Sequence, residues 1–284
     1  MKLSNGKGRT IEKTLPPAGR RPAYGVWPRP DKRPSGVLEG DIGYLRLPSM
    51  NEDAERAIAT WMPQMRDTRG LIVDVRDNGG GSRRALLDLA TWLMAPDDEP
   101  RVANVAAYRK WEGFDHDHLG ARFMARAGDS TWNPEEREAI SSFMRTFEPE
   151  WIPPRGEFSE WHYLLLSPPK EPRPFVYAKP IVVLQNAKCF SATDIFLAAL
   201  KDWKDNITLL GTASGGGSAR SVRHKLPGGL SLRCASMASY QPNGQLYDGN
   251  GVEPDVIVHP QPGDFLTGGR DTQLEAARQR LLEK

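Results

Sequence analysis

Cysteine is the scarcest reactive residue in this 284-residue chain, with two copies, Cys189 and Cys234. Two thiols make neither a disulfide framework nor a thiolate metal centre, and at most one bridge remains open to them. Histidine is thin as well, five in all. His116, Asp117 and His118 stand together in a polar stretch but have no evident partners elsewhere, so no metal is expected. A long apolar run is missing, which excludes a bilayer-spanning helix. An excess of one charge is missing too: 38 Lys and Arg face 36 Asp and Glu, net +2. That balance points away from nucleic acid and membrane surfaces. The basic residues near the start (Lys7, Arg9, Arg20, Arg21, Lys32, Arg33) are broken up by Pro and Gly and read as a solvated tail. Met1 is followed by polar residues rather than the apolar core of a signal peptide. The chain as written is therefore expected in the cytoplasm, and outside it or in a periplasm if it is a piece of a longer precursor.

What is present is ordinary for a globular protein: 39% hydrophobic and 26% charged residues, long enough for one large or two small domains. Lys2–Ile11 reads as a turn feeding a strand, and Pro16–Pro34 as a linker. Asp41–Pro48 alternates apolar and polar like a strand, and Asp53–Met65 has helical spacing. Gly70–Gly81 reads as a buried strand ending in a glycine turn, and a helix is expected over Arg83–Met94. Three glycines between strand and helix let a backbone N–H approach a ligand. They are no phosphate loop, because Ser82-Arg83 does not supply the required Lys-Ser/Thr, and the dinucleotide fingerprint fails on spacing. Residues 96–178 carry little periodicity beyond a helix at Asn133–Phe147. They are rich in aromatics (Trp111, Phe114, Trp132, Trp151, Trp161, Tyr163) and read as an insertion packed over the core. Ser221–Leu226 and Leu230–Ser239 read as two strands, Val256–Val258 as a third, and Gln273–Leu282 as an amphipathic helix. The chain has no internal repeat.

The most informative stretch is Lys179–Ser218: strand, turn, helix, strand, glycine loop. Ile181–Leu184 is the strand, and Ile195, Phe196, Ala199, Leu200 and Trp203 recur at helical spacing. Ser191 therefore stands where strand passes to helix. Two readings are open on this pattern. Ser191 is an N-cap, with Asp194 completing a loose capping box. Or it is a nucleophile at a helix N-terminus, where free N–H groups stabilise an oxyanion.

Four segments occur in one order: GLIVDVRDNGGG, KPIVVLQNAKCFSATDIF, LPGGLSLRCASMASYQPNGQLYDGNGVEPDVIV and DTQLEAA. In this they resemble the S41 serine peptidases, the C-terminal processing (tail-specific) proteases and their tricorn-core relatives. The resemblance covers about residues 37–284 apart from the aromatic-rich insertion at about 96–178. It implies an α/β fold with a ClpP/crotonase-like core of repeated ββα units. Residues 1–36 would be a hairpin and linker, the possible end of a PDZ-like domain.

The resemblance further implies a serine-type peptidase acting on peptide or protein substrates, with no cofactor. Ser191, in Ser191-Ala192-Thr193-Asp194, matches the family nucleophile. The N–H groups of Ala192 and Gly80 match its oxyanion hole. The base does not match. The Lys of the processing proteases falls near Gly217 in Ser214-Gly215-Gly216-Gly217-Ser218. The His of the tricorn-like members falls on Arg46 in Gly43-Tyr44-Leu45-Arg46-Leu47-Pro48. Arginine stays protonated and is a poor base. His224 is the expected substitute, ahead of Lys225 and Lys188, with Asp248 as the supporting carboxylate. Arg46 is expected to pair with Asp248 or bind a substrate carboxylate, and Gly216 and Ser218 to contact substrate. Cys189 is expected to be a small buried residue. The competing expectation is a catalytically impaired homologue that binds peptides or apolar ligands.

Overall fold

The computed structural model of the protein describes residues 2–4, 10–12, 33–110, 118–266 and 269–283. In chain order the strands among them are β1 (Lys2–Ser4), β2 (Thr10–Glu12), β3 (Gly36–Leu38), β4 (Ile42–Arg46), β5 (Gly70–Asp74), β6 (Arg101–Tyr108), β7 (Ala125–Arg126), β8 (His162–Leu166), β9 (Ile181–Gln185), β10 (Ile207–Gly211), β11 (Ser221–Lys225), β12 (Ser231–Ala235), β13 (Met237–Tyr240) and β14 (Val256–Ile257). The α-helices are α1 (Glu52–Trp61), α2 (Arg84–Leu93), α3 (Pro134–Met144), α4 (Ala192–Leu200) and α5 (Thr272–Leu282). Residues 1–32 and 261–270 form one compact unit, and residues 33–260 and 271–284 another. In the first, β1 and β2 pair antiparallel with Lys2 opposite Glu12. Most of the Pro16–Pro34 stretch, together with Trp111, Phe114, His116 and Asp117, lies outside the described residues.

The second unit is built on a six-stranded sheet in the order β14-β10-β9-β5-β4-β3. Its strands pair in parallel from β14 to β4, and β3 closes the edge antiparallel. Successive side chains of a strand point to opposite faces. Both faces are covered here, so these strands read as unbroken apolar runs. Leu71, Val73, Ile181, Val183 and Leu209 enter the larger core with α1, α2 and α4. Ile72, Val182, Leu184 and Leu210 face the other way, onto Leu274, Ala277 and Leu281 of α5. All nine residues of α4 are buried. A helix apolar all round needs partners on every side. The sheet supplies one, and a second sheet, β13-β6-β8-β7, supplies another through Ala103, Ala106, Leu164 and Leu166.

Most of the second sheet comes from residues 96–178, the stretch with little periodicity. β6 and β8 carry no alternation because both of their faces are buried. One faces α4, and the other packs Val102, Val105, Tyr163 and Leu165 against Trp132 and against Ile140 of α3. Trp132, Trp161 and Tyr163 therefore belong to a core. The expected strand at Leu230–Ser239 divides at Ser236. β12 pairs with β11 in an exposed hairpin, and β13 joins β6. Among the described residues no helix is long and apolar enough to cross a membrane.

Candidate active site

Two strand-to-helix turns meet at the C-terminal ends of β5 and β9. They are sewn together by main-chain and side-chain bonds. Phe190 N–H donates to Asn78 O (3.0 Å). Cys189 Sγ donates to Val75 O (3.1 Å), and Asn186 exchanges bonds with Asp77 (both 3.1 Å). Asn78 is the hub. Its amide donates to Leu47 O (2.8 Å), while its Oδ1 accepts from Thr193 Oγ1 (2.8 Å) and Gly80 N–H (2.9 Å). This one fully buried side chain fixes the end of β4, the glycine turn and the start of α4 together.

Ser191 sits at φ 62°, ψ −119°, and its side chain makes no capping bond to α4. The N-cap reading of the sequence therefore fails. A non-glycine residue at positive φ is strained, and such strain persists only where its surroundings enforce it. Here the bonds between the turns enforce it. Among the described residues none donates to or accepts from Ser191 Oγ. Asp194 does accept from Ser191 N–H, the returning half of a capping box, but its other bonds lead elsewhere. It is fully buried and turns to the glycine loop, accepting from Ser214 Oγ (2.5 Å), Gly216 N–H (3.1 Å) and Gly217 N–H (3.2 Å). Burial pushes its pKa up, and these bonds pull it back without cancelling the rise. Ser214 Oγ also accepts from Val252 N–H (2.8 Å). Bonds to a charged acceptor contribute about 1.5–3 kcal/mol each. Asp194→Ala is thus expected to loosen the loop, and hydrogen exchange should show the Gly216 and Gly217 amides opening about tenfold or more faster. Unchanged protection would mean that the loop is held by its other contacts.

A cavity of about 90 Å³ opens beside Ser191, lined among others by Ala192, Gly81, Arg83, Arg122 and Ser218. Ala192 and Gly81 present N–H groups with no acceptor among the described residues. Gly81 pairs with Met50 as an isolated bridge in which Gly80 O and Ser82 N–H carry the bonds, so its own N–H is left over. Gly80 is corrected as an oxyanion donor, because its N–H is spent on Asn78. Its place is against Ser191 itself: a Cβ there would come within 2.7 Å of Ser191 Cβ and 2.6 Å of Phe190 O.

The expected base is not brought to the cavity. His224 lies on the exposed strand β11, opposite Leu232 and outside the cavity lining. Lys225 is exposed on the same strand, and Lys188 is exposed and paired with Asp77 at 3.4 Å. Gly217, where the family lysine falls, packs on Phe190, and a Cβ there would come within 2.0 Å of the ring. Arg46 neither pairs with Asp248 nor lines the cavity. Its guanidinium donates to Asp74 (2.9 Å) at the end of the neighbouring strand. Asp248 lies on the exposed turn after Tyr247 and is not among the lining residues, although its carboxylate accepts from Ala219 N–H, next to Ser218. Partial burial of its carboxyl and the nearby Asp194 push its pKa up. Gly216 serves the loop through its bond to Asp194 rather than lining the cavity, whereas Ser218 does line it. Cys189 is buried, its thiol pushed up to about 12 by burial, and both cysteines are free. Among the described residues no group of three His, Cys, Asp or Glu is placed to hold a metal.

Two arginines in the lining had no signal in the sequence. Arg83 precedes α2 and is only 4% exposed, with Nη2 unpartnered. Its Nη1 reaches Arg122 O at 3.4 Å. Burial, then the neighbouring Arg122, pull its pKa down to about 9, high enough that the charge persists at neutral pH. Arg122 is half-buried and donates to Ser218 O (3.3 Å).

A family model described as Peptidase family S41 matches residues 41–258. A carboxy-terminal-processing protease of Bartonella bacilliformis is 37% identical over 244 residues, covering 84% of this chain and 43% of that protein. An uncharacterized protein of Chlamydia muridarum is 34% identical over 271 residues, covering 86% and 45%. The chain thus spans less than half the length of these curated relatives. The solved structure of a putative peptidase from Parabacteroides merdae aligns with a TM-score of 0.59 at 25% identity, over 87% of this chain and 62% of that one. That of a putative S41 protease from Bacteroides fragilis aligns at 0.51 and 17% identity, over 89% and 58%, which speaks for the fold alone.

Proposed function

The chain belongs to the S41 family of serine peptidases, and from that premise we propose that it hydrolyses peptide bonds through an acyl-enzyme on Ser191. The observation that carries this reading is Ser191 held at positive φ beside a cavity edged by two free N–H groups. A residue without a task at that point has no reason to keep the strain. Ser191 Oγ would attack the scissile carbonyl at the N-terminus of α4. The developing oxyanion would lie between the N–H groups of Ala192 and Gly81, each worth roughly 3–4 kcal/mol of transition-state stabilisation. Gly80 would bring the second turn close enough for both to converge.

The proton of Ser191 Oγ needs an acceptor. Among the described residues no His, Lys, Asp or Glu lines the cavity, so the base comes to the hydroxyl from beyond this wall. The experiment is labelling with a fluorophosphonate, mapped by peptide mass spectrometry, over a range of pH. The expected result is an adduct on Ser191. A rate that rises through about pH 6–7 identifies a histidine, with His224 the one to test. A rise only above about pH 9 identifies a lysine or hydroxide. If Ser191 takes no label at any pH and no peptide is cleaved, the reading is lost. The lack of a base in the lining favours the second reading, a homologue that binds peptides in this cavity without turnover. Saturable peptide binding by an unreactive Ser191 would establish it.

A further inference from the structure

The lining of the cavity is unusual in its charge. Among the described residues two arginines and no carboxylate line it. Neither Arg83 nor Arg122 has an acidic partner among the described residues, and the main-chain contacts they make, to Arg122 O and Ser218 O, are long at 3.4 and 3.3 Å. Arg83 Nη2 is buried and unpartnered, and so is Ser218 Oγ across the same cavity. Burying a charge without an opposite charge is costly. Two like charges beside each other increase that cost. The sequence could relieve it with one apolar substitution at Arg83, whose side chain has already surrendered its hydration. The remaining use for such a group is to receive an anion brought by a ligand.

We propose that Arg83, Arg122 and Ser218 form a subsite for a carboxylate of the peptide bound at Ser191. Arg83 Nη2 and Ser218 Oγ supply the buried donors, and Arg122 closes the more exposed side. The guanidinium geometry suits a carboxylate, which it can hold by two parallel bonds. The cavity has room for a carboxylate with its attached carbons. The carboxylate comes either from an acidic side chain next to the scissile bond or from the free C-terminus of the peptide. Both present the same chemistry to the subsite. This assignment rests on the reading of Ser191 as the catalytic serine, because that reading places substrate in the cavity.

The test separates the two sources and the two claims. The protein would carry Ser191→Ala so that ligands are not turned over. Calorimetry would compare acetyl-Ala-Ala-Ala-Glu-amide with its Gln counterpart, and acetyl-Ala-Ala-Ala-Ala acid with its amide. The expected result is at least tenfold tighter binding of the carboxylate member in one pair. The Glu/Gln pair identifies a side chain, and the acid/amide pair a C-terminus. Arg83→Gln is expected to reduce that ratio to about one. Arg122→Gln, at a less buried position, is expected to reduce it in part and guards against misfolding of the first variant, which a thermal melt reports. Ratios within twofold in both pairs overturn the subsite, as does a preference that survives both substitutions. Fluorophosphonate labelling of the unsubstituted chain reports separately on Ser191. A labelled Ser191 with no carboxylate preference rejects the subsite alone.

Discussion

Asp74→Ala is expected to destabilise the protein by about 3–5 kcal/mol, the usual cost of stripping one partner from a buried ion pair. Asp74 is 1% exposed at the end of β5. Its Oδ1 accepts from Arg46 Nη1 (2.9 Å) and Arg76 Nε (3.0 Å), and its Oδ2 from Tyr44 OH (2.7 Å) and Arg76 Nη2 (2.7 Å). Arg76 continues to Asp271 (2.7 and 2.8 Å), and Asp271 caps α5 through Leu274 N–H. Asp74 thus pairs with two arginines and, through Arg76 and Asp271, joins the Ser191 end of the sheet to the helix behind it. Without it, Arg46 loses its carboxylate partner and Arg76 keeps only Asp271. For a unit of this size the thermal midpoint should fall by about 10 °C. Acid should do the same to the native protein. Burial alone would raise the pKa of Asp74, but Arg76, Arg46 and the Tyr44 hydroxyl outweigh it and hold the carboxyl below its ordinary value. A depressed folded pKa contributes stability above the unfolded value of about 3.9, and that stability is lost as the pH falls through the folded pKa. The contribution is therefore intact at neutral pH and fails only below about pH 4. A midpoint within 2 °C of the unsubstituted protein would show that the network contributes little.

The same network shows how far the sequence could be read. Arg46 stands in a strand whose pattern resembles a family strand with histidine at that place, and it was natural to give it a task at the site. The geometry gives it to Asp74 instead, a contact with a parallel neighbour that no local pattern encodes. Ser191 and the glycine turn were legible because strand, turn and helix follow each other within a few residues, each with its own periodicity. β6 and β8 were not, because burial on both faces erases the alternation that identifies a strand. Arg83 and Arg122 were invisible for a different reason. A lone arginine defaults to a solvated surface position, and only the tertiary fold brings the start of α2 and residues 121–122 to one cavity beside Ser191. Gly80 falls between the cases. Its proximity to Ser191 was readable from the motif, whereas its N–H was claimed by a side chain two residues earlier.

Gly80→Ala is the substitution that should separate proximity from fold. Gly80 has φ 101°, a conformation that costs an L-residue about 1–3 kcal/mol. The added methyl would also lie 2.6 Å from Phe190 O, 2.7 Å from Ser191 Cβ and 3.0 Å from Ala192 N. These atoms belong to the main chain and to Ser191 Cβ, so no flexible side chain can yield. The two turns must part, and the oxyanion donors part with them. Misplacing reacting groups by about 1 Å typically costs on the order of 100-fold in rate. The rate of fluorophosphonate labelling at Ser191 is therefore expected to fall about 100-fold, with a thermal midpoint lower by only a few degrees. Gly79→Ala is the matched control. Its Cβ would meet nothing within 4 Å and its φ is not positive, so labelling should stay within about twofold. Equal effects at the two glycines would mean that Ser191 does not depend on the close approach of the second turn, and the paired oxyanion donors would have to be abandoned.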